Sequence, residues 1–81
     1  MSIRILFFAS LADTTGMRET SLDTAAFTDV ASVFNHFANE FPSLENYRTS
    51  ALFAINSEFV SLDAPIRDGD EVAIFPPVSG G

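Results

Sequence analysis

No cysteine occurs in this chain of 81 residues, and that absence limits what it can fold into. Disulfides, thiolate metal sites, iron–sulfur clusters and a cysteine nucleophile are all excluded. A single domain of this length buries only a modest share of its surface. With no covalent staple, apolar burial has to supply the stability. Hydrophobic residues make up 47% of the chain and nine of them are Phe, which suits a compact aromatic core.

The apolar residues fall into short, well-separated runs. Ile3-Arg4-Ile5-Leu6-Phe7-Phe8-Ala9 is rich in β-branched and aromatic residues and reads as a buried strand. Asp13-Thr14-Thr15-Gly16 is turn chemistry. Met17 to Leu22 reads as a weaker second strand, close enough to the first to pair as an antiparallel hairpin. Thr28 is placed as a helix N-cap, with Asp29 in the first turn facing the helix dipole. Val30, Val33, Phe34, Phe37 and Phe41 then recur at steps of three and four, one apolar helical stripe that Pro42 ends. Ser32, Asn35, His36 and Asn39 fall on the opposite side. Leu52 to Ile55 reads as a strand, Asn56-Ser57 as a tight turn and Phe59 to Leu62 as a short strand. Asp68-Gly69-Asp70 is another turn, and Glu71 to Phe75 is the last strand. The order β-β-α-β-β-β predicts an α+β fold: a mixed sheet with one main helix packed on one face, the first and last strands central and parallel. That is the β-grasp, or ubiquitin-like, arrangement. The domain is expected to span residues 1–75, with 76–81 as a flexible tail.

Strand alternation makes a prediction about surface. Charged Arg4 faces outward, which puts Leu6 and Phe8 on the same outer face. Glu71 faces outward on the last strand, and Ala73 and Phe75 go with it. On the short strand Val60 and Leu62 suit the core, leaving Phe59 outward. Leu6, Phe8, Phe59 and Phe75 are therefore expected to form an apolar patch on the face without a helix, the kind of patch that marks a partner surface.

Charge narrows the partner class. The net charge is −7, with four Arg and no Lys. Nucleic acid and anionic membrane surfaces are disfavoured, because phosphate contacts need basic residues. A basic protein partner is favoured, with charge assisting encounter. The apolar run at the N-terminus is too short for a membrane span and lacks a basic leader and cleavage site, so a cytoplasmic location is expected. His36 is the only histidine; without Cys it makes neither a metal site nor a nucleophile–base pair. Asp63, Asp68, Asp70 and Glu71 match no EF-hand spacing and read as solvated turn residues. No metal site, bound cofactor or self-contained catalytic centre is expected.

The end of the chain carries the chemistry. Phe75-Pro76-Pro77-Val78-Ser79-Gly80-Gly81, taken as the true C-terminus, is a strand end, a stiff diproline and a tip without side chains. Proline locks φ and favours extended backbone, so Pro76 and Pro77 hold the tip away from the body. Glycine adopts backbone angles closed to other residues and fits a narrow channel. The Gly81 carboxylate on such a tip is a handle that fits into another protein's active site.

The run Asp68-Gly69-Asp70-Glu71-Val72-Ala73-Ile74-Phe75-Pro76-Pro77-Val78-Ser79-Gly80-Gly81 resembles the C-terminus of the MoaD family, the small sulfur-carrier subunits of molybdopterin synthase, within the MoaD/ThiS ubiquitin-like superfamily. Ile5-Leu6-Phe7-Phe8-Ala9 and Ala54-Ile55-Asn56 resemble that family as well, while the stretch from Leu44 to Ser50 matches weakly. The resemblance implies a carrier that is not an enzyme by itself. An E1-like adenylating enzyme (MoeB type) would use ATP to activate the Gly81 carboxylate as an acyl-adenylate. A sulfur donor system would convert it to a thiocarboxylate. The large subunit (MoaE type) would hold the active site, where the tail gives sulfur to cyclic pyranopterin monophosphate. Gly81 and Gly80 are then the reactive tip, and Phe8, Phe59, Phe75, Leu6, Pro76, Pro77, Val78 and Ser79 the partner-binding residues. One departure stands out: Ala12 and Asp13 follow the first strand where some relatives place a basic residue. A thiamin-pathway sulfur carrier, a ubiquitin-like protein modifier and an inert-tailed β-grasp interaction module are the alternatives.

Overall fold

A computed structural model describes residues 1–77. Its strands are β1 (Ser2–Phe7), β2 (Glu19–Asp23), β3 (Leu52–Ile55), β4 (Glu58–Val60) and β5 (Glu71–Phe75), and its α-helices are α1 (Ser10–Thr15) and α2 (Val30–Glu40). Short 3₁₀ turns occupy Thr24–Ala26 and Pro42–Tyr47. The five strands form one mixed sheet in the order β2-β1-β5-β3-β4. β1 and β5 pair in parallel, and the remaining neighbours are antiparallel. The last strand therefore lies in the middle of the sheet. This is the α+β, β-grasp architecture that the element order predicts.

The inner face of the sheet is the core. Register aligns Phe7, Ile74, Phe53 and Val60 in one row and Ile5, Val72 and Ile55 in the next. Helix α2 covers these rows with Val30, Val33, Phe34, Phe37 and Ala38, all buried. Rings interlock edge to face: Phe7 with Phe37 at 5.0 Å and Phe34 with Phe53 at 5.7 Å between centroids. Each such pair adds about 0.5–1.5 kcal/mol beyond the area it buries. Phe41, last of the sequence stripe, is only half-buried because it sits past the helix as its C-cap.

Helix α2 begins one residue later than the sequence suggests. Asp29, not Thr28, is the N-cap: its backbone is extended, and its carboxylate accepts from the Ser32 amide at 2.8 Å. Ser32 Oγ reciprocates by accepting from the Asp29 amide at 3.2 Å. This capping box satisfies helix-end donors that nothing else reaches.

Three further boundaries differ. The segment read as a turn before Gly16 is the short helix α1, closed by Gly16 in the left-handed conformation at φ 72°. Leu11 and Thr15, one turn apart, are both buried, and Thr15 Oγ1 donates to the Leu11 carbonyl at 3.0 Å. One buried pair is too little periodicity to announce a helix in sequence. Strand β2 runs Glu19–Asp23 rather than Met17 to Leu22, and β4 runs Glu58–Val60 rather than Phe59 to Leu62. After β4 the chain bends at Leu62 toward α2, whose Ala31 amide donates to the Leu62 carbonyl at 2.8 Å.

The weakly patterned stretch after α2 is tied down by one arginine. Arg48 lies 5.0 Å from the Phe34 ring centroid, donates to Asn35 Oδ1 and forms a two-point contact with Glu45. The hydrogen bond from Arg48 holds the Glu45 carboxyl below the usual carboxylate range.

Candidate functional site

The sheet's other face carries no helix, and its side chains sort by register into three rows. At one end are Ser21, Arg4 and Glu71. The middle row runs Glu19, Leu6, Ala73, Ala54 and Phe59 across all five strands. The last row holds Phe75 opposite Leu52, with Phe8 just beyond the end of β1. Polarity therefore changes along the face, from an ionic end to an apolar one. Arg4 bridges the ionic end, reaching Glu19 at 3.3 Å and Glu71 at 3.0 Å. These side chains are about half exposed, so the pairs add little stability.

The apolar end is an aromatic cluster. Phe8 and Phe75 stack with centroids 4.5 Å apart and an interplanar angle of 13°. Phe59 tilts against Phe75 at 6.0 Å. Phe8 is 40% exposed, Phe59 72% and Leu52 40%, large values for apolar side chains in a folded domain. Ala73 and Ala54 lie flat in the sheet between these larger residues and are buried, so small side chains give the patch a shallow floor. The structure thus brings Leu6, Phe8, Phe59 and Phe75 together on one face, as strand parity predicts. It adds Leu52, which sequence reading missed. The signal was available: alternation through Leu52-Phe53-Ala54-Ile55 with Phe53 inward leaves Leu52 outward.

The patch and the tail are continuous. β5 ends at Phe75, whose ring is the centre of the cluster, and Pro76 and Pro77 follow directly. Pro76 is half-buried and Pro77 exposed. The expected site residues Val78, Ser79, Gly80 and Gly81 lie outside the described residues.

The root of β5 is held by the motif residues on its other side. Asn56, at φ 50°, accepts from the Glu71 amide through Oδ1 at 3.0 Å and donates through Nδ2 to Asp70 at 2.9 Å. The second Asp70 oxygen accepts from the Arg67 amide at 2.8 Å. Asp63 and Asp68 are likewise occupied, accepting from Ser61 and Thr24. Among the described residues, no group of three or more His, Asp and Glu side chains stands ready to hold a metal. His36 is exposed on α2, its ring edge-on to Phe27 and Phe37. An open cleft of about 670 Å³ lies between α1 and the outer face, and Ala12 and Asp13 line it together with Arg18. Among the described residues, no helix is long and apolar enough to cross a membrane.

Comparison with known proteins matches this geometry to a family. The ThiS family model matches residues 5–81. The molybdopterin synthase sulfur carrier subunit of Escherichia coli K12 is 40% identical, over 98% of this chain and 99% of its own. The protein of the same name from Arabidopsis thaliana is 32% identical, over 100% of this chain and 84% of its own. The crystal structure of SAMP1 from Haloferax volcanii superposes with a TM-score of 0.82 at 29% identity, each chain covered completely. A family match that spans nearly the whole chain, with relatives alike from end to end, means that the chain belongs to the ThiS family.

Proposed function

We propose that this chain is a sulfur carrier for molybdenum cofactor biosynthesis and the small subunit of a molybdopterin synthase. The observation that carries the reading is the end-to-end match at 40% identity to a sulfur carrier subunit of nearly the same length. The continuity of the aromatic patch with the strand that leads into the tail supports it. On this reading the folded body docks, and the tip does the chemistry.

A carboxylate is a poor electrophile, so the Gly81 carboxylate must first be activated. An E1-like enzyme uses ATP for this: a carboxylate oxygen attacks the α-phosphorus, pyrophosphate leaves, and the carbonyl gains AMP as a leaving group. The terminal sulfur of a persulfide donor displaces AMP to give an acyl disulfide. A thiol of the donor system then cleaves its S–S bond, leaving the thiocarboxylate on Gly81 and a disulfide on the donor. The tail then enters the large subunit, which supplies the active site, and sulfur passes to cyclic pyranopterin monophosphate. A chain without cysteine has no thiol to carry sulfur, so the terminus takes that role. The chain binds no cofactor of its own, works in the cytoplasm, and presents Leu6, Phe8, Phe59, Phe75, Pro76, Pro77, Val78 and Ser79 to both partners in turn.

Intact mass after incubation with the adenylating enzyme, ATP and a sulfur donor tests this. One oxygen replaced by sulfur at Gly81 is the expected result, and deletion of Gly81 should abolish it while leaving the melting temperature unchanged. An unaltered mass with an active enzyme preparation would overturn the carrier reading. A second reading is favoured by the likeness to SAMP1, a small archaeal modifier protein. In it the same activated carboxylate is attacked by a target lysine. Covalent adducts on other proteins, mapped to Gly81 after activation without a sulfur donor, would support that reading.

A further inference from the structure

Ala9 sits at the point where the outer face is decided. Its backbone lies at φ 51°, ψ −128°. That region suits glycine, and an L-residue there is strained because its Cβ crowds the neighbouring peptide. The Leu11 amide donates to the Phe8 carbonyl at 3.1 Å, so residues 8 to 11 form a tight turn with Ala9 at its first corner. The angles are those of a type II′ turn, where glycine is the ordinary occupant of that corner.

The turn performs two placements at once. Before it, the Phe8 amide donates to the Ile74 carbonyl at 3.1 Å, the last bond joining β1 to β5, and the Phe8 ring stacks on Phe75. After it, Leu11 is fully buried. Phe8 is 40% exposed, its ring stacks on Phe75, and its backbone is bonded to Ile74 on one side and Leu11 on the other. The conformation of Ala9 is thus the link between the packed α1 and the orientation of Phe8.

We infer that Ala9 is a positioning residue: its strained turn pre-orders Phe8 against Phe75 and so fixes the shape of the docking face beside the tail. Glycine at this corner would relieve the strain but free the backbone, because glycine populates many other conformations. A D-residue would relieve the strain and keep the lock, because positive φ is its preferred region. The inference rests on the docking role proposed above for the aromatic face.

The test compares Ala9→Gly with a synthetic chain carrying D-alanine at position 9, both against Phe75→Ala, for affinity to the large subunit of molybdopterin synthase. Ring-proton chemical shifts of Phe8, which the Phe75 ring current displaces, give a second readout. Ala9→Gly is expected to melt no lower than the parent, to move the Phe8 shifts toward unstacked values, and to bind roughly threefold to tenfold more weakly, the cost of ordering one side chain on association. The D-alanine chain should bind at least as well as the parent with Phe8 shifts unchanged. If Phe75→Ala weakens binding but Ala9→Gly does not, the positioning role of Ala9 is overturned. Equal losses in the glycine and D-alanine chains would overturn it too, since the lock would then be irrelevant. If Phe75→Ala itself binds as the parent does, the docking reading of the face fails first.

Discussion

Phe75 is the residue on which fold and proposed function meet. It belongs to the central strand, stacks on Phe8, touches Phe59 and opens into the tail. Because it is only half-buried, Phe75→Ala should cost about 1–2 kcal/mol of stability. Its loss of partner affinity should be larger, at least about 2 kcal/mol, as for a central aromatic anchor in an interface. Thermal melting set beside titration calorimetry separates the two; a large melting loss with unchanged affinity would make Phe75 a core residue only. Glu45 offers a pH test. The hydrogen bond from Arg48 lowers its carboxyl below the usual range, so the contact stabilises above that range and its contribution fades as pH falls through the folded-state value. The melting difference between the parent and Glu45→Gln is therefore expected to shrink on acidification, and by a small amount overall, since both groups face solvent. A difference constant with pH would show that the ion pair adds nothing. At this scale strand parity was legible in sequence: Arg4 and Glu71 declared the outer face and carried Leu6, Phe8 and Phe75 with them. Ala9 was not, because nothing in its side chain records a positive φ.

Among the elements, the β3–β4 hairpin and the start of β5 form one unit through Asn56. Its amide mimics a strand partner for Glu71 and caps the Asp68-Gly69-Asp70 turn through Asp70. Asn56→Ala should destabilise by about 2–3 kcal/mol, combining lost hydrogen bonds with the penalty for a left-handed alanine. Asn56→Gly removes the same bonds without the penalty and should cost less; denaturant unfolding of both measures each part, and equal losses would assign the whole effect to the hydrogen bonds. Helix α2 was readable because four buried positions repeat at its period, with Pro42 after it. Its cap was misplaced by one residue, since Thr28 and Asp29 are both good caps and only the backbone geometry selects between them. Helix α1 was missed: six residues offer a single buried pair, and its stability comes from packing Leu11 into the core rather than from any pattern of its own.

Over the whole molecule, charge and shape divide the labour. A chain of net charge −7 approaches an oppositely charged partner faster at low salt, while on the proposed docking reading the apolar patch would set how long it stays. Association with the large subunit should therefore slow as ionic strength rises, with dissociation nearly unchanged, in stopped-flow measurements; an association rate indifferent to salt would remove charge from the account. On the reading proposed above, one docking face serves both the large subunit and the adenylating enzyme, which would make the two complexes mutually exclusive. Size-exclusion chromatography of all three proteins should yield binary complexes only.

By itself the sequence determined the strands and main helix, the inner and outer sides of β1, β4 and β5, and the family signature of the ending. These are local properties, written as alternation, helical period and turn residues within short windows. The element order also placed β1 and β5 side by side at the centre. Only the tertiary structure decided that β3 flanks β5 on its other side, and that Phe8 and Phe75, from opposite ends of the chain, stack face to face beside Leu52 at the root of the tail. Contacts of that kind depend on register between distant strands and on the strained corner at Ala9, neither of which leaves a trace in local sequence.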